Sequence, residues 1–249
     1  MLPGKEWAVN GFIDMHTHIL PGTDDGAATV EDSLEMLRLA WEQGTRAAVL
    51  TPHFRGRYKQ NTPQQLQERF SRLQDLTREK LPGMDLYLGQ EIHYDAAVPE
   101  ALSAGQLLSI NSSGYVLLEF HPGSSGSQIL RGVSEVILSG FIPILAHGER
   151  YACFRKDASL REELLRMGTL IQLNAGSVLG HLGFSVRRCC HKLLKQGQAH
   201  FIASDCHDTA VRTPQLRTCF LKISKKYGQS YAAQLFEENP LAVIRNEVI

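Results

Sequence analysis

The chain carries no surplus of either charge: 26 lysines and arginines balance 26 aspartates and glutamates over 249 residues. That balance excludes the basic footprint of a nucleic-acid surface and a polybasic membrane patch. No apolar run approaches the ~20 residues that span a bilayer, and the opening MLPGKEWAVNGF lacks the apolar core of a signal peptide. Cytoplasmic residence with no integral membrane segment is therefore the expectation. Cysteine is scarce and scattered (Cys153, Cys189, Cys190, Cys206, Cys219) with no C-x-x-C pair, which argues against a disulfide framework or a cysteine zinc site. Linkers, repeats and low-complexity tracts are also missing, so residues 1–249 read as one domain. At 43% hydrophobic and 21% charged, the composition is that of a folded globular chain.

What is present alternates. Short β-rich apolar runs near 11–16, 45–51, 84–90, 114–119, 141–146, 169–174 and 199–204 are separated by amphipathic segments, the pattern of βα units around a parallel sheet. A helix is expected from Val30 to Gln43, with Thr29 as N-cap and Gly44 as its stop. A second opens at Thr62-Pro63 and buries Leu66, Phe70, Leu73 and Leu76 before Pro82-Gly83. Others are expected near 97–104, 127–139, 159–167, 185–197, 213–227 and 230–246.

The polar residues sit at the strand ends. Asp14, His16 and His18 share one side if β alternation is regular, and two imidazoles two residues apart can share an ion. Taken alone, H-x-H is equally two ordinary polar residues. Yet later strands also end in metal-capable groups: His53, Glu91, Glu119, His147, and Asp205 with His207; the sixth ends in Asn174. In a closed parallel barrel all strand carboxyl ends meet on one face. Asp25, in the loop GTDDGA, lies near enough in sequence to join them. Singly, each is better read as a hydrogen-bonded strand-end group; jointly, converging carboxylates without cations would repel one another.

The runs IDMHTHILPGTDDGAATVEDSLEML, TPHF, GQEIHY, LLEF, AHGERY and ASDCHDTAVR, in this order, resemble the polymerase and histidinol phosphatase (PHP) superfamily. Within it they are most similar to the bacterial manganese-dependent tyrosine-protein phosphatases of capsule and exopolysaccharide operons. The likeness extends from residue 12 to the closing FEENPLAVI. It implies a distorted seven-stranded (β/α) barrel holding three divalent ions. His16, His18, Glu91 and Asp205 would hold the first; Glu91, bridging, with Glu119 and His147 the second; Asp25, His53 and His207 the third. Arg150 and Arg212 match the arginines that the family points at phosphate. The partner implied is a phosphotyrosine protein, a membrane-associated bacterial tyrosine autokinase with a tyrosine-rich tail.

The donor set, imidazole and carboxylate without thiolate, suits Mn, Fe or Zn. Three divalent ions, four carboxylates and two arginines leave about +4 locally, enough to attract a phosphate dianion to a neutral protein. The expected chemistry is in-line attack on phosphorus by a metal-bridging hydroxide. Asp14 is either a partner for an imidazole N–H or a plain strand-end hydrogen bond. His93 and His121, two positions beyond proposed ligands, either face the pocket or do not, and Arg55 and Arg57 either meet an acidic phosphopeptide or are solvated. His181, His191 and His200 read as surface residues. Three alternatives stand beside this reading. One is another PHP substrate: histidinol phosphate, another small phosphate ester or a nucleic-acid end. Another is a non-catalytic domain. The last is a cysteine nucleophile, since Cys206 to Thr213 fits C-x5-R-T, although Asp208 and His207 occupy positions where a phosphate-cradling loop needs small residues.

Overall fold

A computed structural model describes residues 11–249. Among the described residues nine parallel strand segments form: β1 (Phe12–Thr17), β2 (Thr45–Leu50), β3 (His53–Phe54), β4 (Asp85–Leu88), β5 (Glu91–His93), β6 (Tyr115–Glu119), β7 (Ile142–Leu145), β8 (Leu170–Asn174) and β9 (Phe201–Ala203). They lie in a three-stranded sheet, β1-β2-β4, and a six-stranded one, β3-β5-β6-β7-β8-β9. The expectation of seven strands in a single barrel sheet is corrected to this extent. Past a break, each of the expected strands at 45–51 and 84–90 is followed by a further short segment, β3 and β5, that lies beyond its expected bounds. Pro52 has no N–H to continue a ladder between β2 and β3. Gly89, between β4 and β5, lies so close beneath Ile110 that a Cβ there would meet its Cδ1 at 2.9 Å. Pairing resumes beyond each break with His53 opposite Glu91 and, on the next pair, His93 opposite Glu119. The first and last strands are linked by a bridge between Thr17 and Cys206, where the Asp205 amide donates to His16 O at 2.9 Å and the His18 amide to Cys206 O at 3.0 Å.

Alternation along the strands sorts the core. Ile13, Met15, Ala47, Val49, Leu117, Ile144, Ala146, Phe201 and Ala203 gather in one cluster enclosed by the curled sheets. Their neighbours Val116, Leu118, Leu145, Ile171, Leu173 and Ile202 pack outward with the helices, as do Ala48 and Leu50 in a third cluster.

The helices begin where capping chemistry starts them. α1 (Val30–Glu42) and α2 (Pro63–Lys80) open with reciprocal capping boxes, Thr29 with Asp32 and Thr62 with Gln65. α2 buries Thr77 in its last turn rather than Leu76. α3 (Val98–Ser103), α4 (Gly126–Leu138), α5 (Ala152–Lys156), α6 (Ala158–Arg166), α7 (Ala175–Leu179) and α8 (Phe184–Lys195) follow. α9 (Arg217–Tyr227) starts four residues later than expected. The Asp208 carboxylate accepts the Ala210, Val211 and Arg212 amides, and Pro214 disfavours helix at the residue before it, so 208–216 remains a loop. The closing segment expected near 230–246 is an unbroken helical run from Gln229 to Ile244, with a π turn at Gln234–Glu238 in its middle. Among the described residues no helix is long and apolar enough to cross a membrane.

Phe201 is fully buried in the enclosed cluster on β9, the strand that leads to Asp205 and His207. Phe201→Ala should cost about 3–5 kcal/mol, lowering the melting temperature by roughly 6–20 °C. Thermal unfolding followed by circular dichroism measures it, and a shift under a degree would contradict an enclosed interior.

Candidate metal centre

The carboxyl ends of the strands converge on Glu91, which is completely buried. Its Oε2 lies 2.7 Å from His53 Nδ1, 3.3 Å from His16 Nε2 and 3.4 Å from His18 Nε2, while Oε1 lies 2.8 Å from His147 Nε2. Asp205 Oδ1 is 3.4 Å from His18 Nε2 and 3.6 Å from His16 Nε2. Asp25 Oδ1 reaches His53 Nε2 at 3.3 Å and His207 Nε2 at 3.7 Å. Glu119 Oε1 is 3.7 Å from His147 Nε2. The nine residues singled out as ligands thus lie together, from Asp25 at one side to Glu119 and His147 at the other.

Within this nest, donor atoms within 4.8 Å of one another fall into three groups: His18, Asp25, His53 and His207; His16, His18 and Glu91; and His53, Glu91 and Glu119. They overlap the sets that the resemblance implies without reproducing them. His18 joins the Asp25 group, and His53 stands with Glu91 and Glu119 where His147 was expected. Nε2 of His207 and Nδ1 of His147 are buried without a hydrogen-bond partner, and the His53 ring meets Glu91 Oε2 and Asp25 Oδ1 without hydrogen-bond alignment. Buried lone pairs left in this condition are costly, and a divalent cation is what such a donor set accommodates. The residues present therefore fit metal ions.

Electrostatics agree. Burial alone would push the His16 imidazole down, but Glu91 and Asp205 outweigh it and hold it above its ordinary value; Asp24 and Asp205 do the same for His18, more strongly. Burial would raise Glu91 and Asp205, yet the surrounding imidazoles hold both well below the usual carboxylate range. His207 is the exception: burial, then the neighbouring His18, push it down. Two ligand candidates sit on left-handed backbone, His147 at φ 35° and Asp205 at φ 53°, conformations that cost energy for non-glycine residues and cluster at functional sites.

Residues behind the nest orient it, and sequence reasoning missed most of them. Asp24, the neighbour of the chosen Asp25, accepts from His18 Nδ1 at 2.7 Å, the His53 amide at 2.9 Å and the Gly26 amide at 2.9 Å. This loop packs so tightly that a Cβ on Gly26 would lie 2.0 Å from His18 O. Gln172 Oε1 is 3.2 Å from His16 Nδ1 and accepts the His147 amide at 2.8 Å. Gln172 Nε2 donates to Asn174 Oδ1, and Asn174 Nδ2 donates to Asp205 Oδ2 at 2.7 Å. Glu149, fully buried with its carboxyl pushed up by burial, accepts the Asn174 amide. The doubled aspartate in TDDG was the one signal for Asp24; nothing local marks Gln172.

The remaining singled-out residues resolve as follows. Asp14 Oδ1 accepts the Ser204 amide at 2.9 Å, the plain strand-end bond, and register irregularities on either side of it break the simple alternation of β1. Arg150 Nη1 and Arg212 Nη2 both face Asp205, at 3.4 and 2.8 Å. Arg55 stands opposite, 3.3 Å from Asp25 Oδ2 and 3.5 Å from Glu119 Oε1. Arg57 packs on the Tyr58 ring. His93 Nδ1 is 3.3 Å from Glu119, whereas His121 accepts the Gly123 amide in a local turn. His181 is exposed; His191 and His200 are half-buried, the first against Tyr227 and the second accepting the Ile171 amide.

A buried cluster of imidazoles and carboxylates at the carboxyl ends of a curled parallel sheet defines a metal-binding α/β protein of the barrel type. The chain belongs to the capsular polysaccharide synthesis family CpsB/CapC, whose profile matches residues 12–245. It is 34% identical over 242 residues to the tyrosine-protein phosphatase YwqE of Bacillus subtilis, covering 96% of this chain and 93% of that one. It is 30% identical over 243 residues to the tyrosine-protein phosphatase CpsB of Streptococcus pneumoniae, covering 96% and 100%. A chain from the crystal structures of these two proteins, described as unique metal-dependent tyrosine phosphatases, superposes with a TM-score of 0.89 at 32% identity over 95% of this chain and 96% of its own.

Because His16 and His18 are held above their ordinary values, loading the metal-free protein should release protons, and affinity should tighten as pH rises through neutrality. Calorimetry in buffers of different ionisation enthalpy reads the release directly; an affinity independent of pH would contradict it. Asp24→Asn should weaken ion binding by about 10–100-fold, since His18 loses the partner that aims its Nε2.

Proposed function

We propose that this chain is a metal-dependent protein-tyrosine phosphatase, a phosphoric monoester hydrolase. The observation that carries the proposal is the gathering of eight further nitrogen- and oxygen-donor side chains around buried Glu91, in a chain whose relatives over nearly its full length are named tyrosine-protein phosphatases. We take residues 1–249 as one metallophosphatase domain, since the ligand candidates run from β1 to the loop after β9. The site holds three divalent ions in this reading: His16, His18, Glu91 and Asp205 for one, Glu91, Glu119 and His147 for another, Asp25, His53 and His207 for the third. The three donor groups support that number, and the oxygen and nitrogen donors support manganese, with iron or zinc as competitors.

Bound ions at such a centre supply an activated water and neutralise phosphoryl charge. The protein's own part is positioning. Arg150 and Arg212, each about 40% exposed and anchored on Asp205, present guanidinium donors to phosphoryl oxygens at the mouth. A tyrosine leaving group departs with a pKa near ~10, so it needs less protonation than an alkyl alkoxide. Cys206 is not the nucleophile: it is fully buried, and burial pushes its thiol up. The substrate is a phosphotyrosine protein, in our reading the tail of a bacterial tyrosine autokinase that controls capsule or exopolysaccharide synthesis, reached from the cytoplasm. The family's link to capsular polysaccharide synthesis supports that assignment, as do free thiols at all five cysteines.

A chelator should abolish hydrolysis of a phosphotyrosine peptide while Cys206→Ser retains it. Arg212→Ala should lower kcat/KM about a hundredfold. Retained activity after chelation, together with loss in Cys206→Ser, would overturn the metal assignment. Faster turnover of histidinol phosphate than of the peptide would move the substrate elsewhere. Elemental analysis of protein purified without added metal identifies the ion.

A further inference from the structure

Beside the arginines the mouth opens into a cavity of about 410 Å³, within the ~300–1,000 Å³ range of small-ligand sites. Its wall combines Arg150, Arg212, Asp205 and Asn174 with Leu179 of α7, Leu182 and Val211, and further hydroxyl, amide and imidazole groups complete it. Leu182 is 53% exposed and Val211 86% exposed, so neither is there to fill the core.

The backbone of both lips is braced. On one side the Gly183 amide donates to Gly180 O at 3.0 Å and the His181 amide to Gly176 O at 2.9 Å, with Gly180 and Gly183 at positive φ. On the other, the Asp208 carboxylate gathers the amides of 210–212, and the His207 amide donates to Arg212 O at 2.8 Å. That hairpin turns Arg212 inward to Asp205 and leaves its neighbour Val211 on the rim. One rigid loop thus delivers an anion-binding donor and an apolar contact side by side.

We infer that this cavity is the subsite for the aryl ring of the phosphotyrosine side chain, with Leu182 and Val211 as the residues that select an aromatic phosphoester over an alkyl one. The inference rests on the phosphatase reading above and adds the ring site to it. The lining suits an ester of mixed character: its dianionic end is drawn to the arginines and bound cations, and the group beyond can lie against Leu182 and Val211. A phosphorylated aromatic side chain has that form, with apolar area directly attached to the charged group. A phosphoserine or a sugar phosphate brings hydroxyls or backbone to the same place and gains nothing from Leu182 or Val211.

The test uses the metal-loaded protein with Leu182→Ser, Val211→Ser and their double variant, at exposed positions where folding is not at stake. Binding of benzylphosphonate and methylphosphonate is measured by calorimetry, and kcat and KM are measured for a phosphotyrosine peptide and for phosphoserine. The double variant should weaken benzylphosphonate about five- to tenfold and raise peptide KM to match, with kcat, methylphosphonate affinity and phosphoserine turnover changed less than twofold. Val211→Ile should retain the wild-type ratio. Equal effects on aryl and methyl phosphonates, or none on either, would overturn the ring site while leaving the phosphatase reading intact. A wild-type protein that turns over no phosphotyrosine would remove both.

Discussion

The structure depends on the compensation of one buried carboxylate. Glu91 is sealed from water and surrounded by four imidazoles at 2.7–3.4 Å, a place where an uncompensated charge is not tolerated. Every element that reaches it brings part of the compensation: β1 supplies His16, the turn just after β1 supplies His18, β3 supplies His53, and the second position beyond β7 supplies His147. Positive charge, whether carried by protons on these rings or by divalent ions, is therefore a condition of the fold at this end of the sheets. The same requirement explains why a chain with no net charge holds a strongly charged centre.

Compensation at the centre is separated from recognition at the mouth. The ligand candidates are nearly all buried and are held from behind by Asp24, Gln172, Asn174 and Glu149. The arginines and the cavity beside them are half-open to solvent and lie on turns braced by local backbone bonds. Rigid donors below and accessible contacts above let the ester be chosen by its outer part while its phosphorus always meets the same groups. Arg55, across the mouth between Asp25 and Glu119, completes a ring of guanidinium groups about the centre.

Much of this was legible in the sequence, and the reasons are physical. Polar residues at the ends of apolar runs stand out because burying them costs energy, so His16, His18, His53, Glu91, Glu119, His147, Asp205 and His207 announced themselves together. Capping residues announced α1 and α2. The interruption of two strands was less visible: Pro52 and Gly89 are in plain view, but which packing would use them depends on Ile110, far along the chain. Asp24 was shadowed by Asp25, since two adjacent aspartates look alike until one is seen to accept three N–H bonds. At Asp14, open in the sequence between an imidazole partner and a strand-end bond, the choice turns on the amide of Ser204, a residue 190 positions away. The late start of α9 follows from a side chain, Asp208, capturing amides that periodicity assigns to a helix.

The strand interruptions have one more consequence. Past them, His53 faces Glu91 and His93 faces Glu119 as register partners on adjacent strands. The gap between such partners is a constant of β structure, about 4.8 Å, so the backbone acts as a ruler for the donors. Ions of different radius must then be met by rotation about side-chain bonds rather than by movement of the strands, which confines the adjustment of this centre to a few torsion angles and leaves the scaffold untouched.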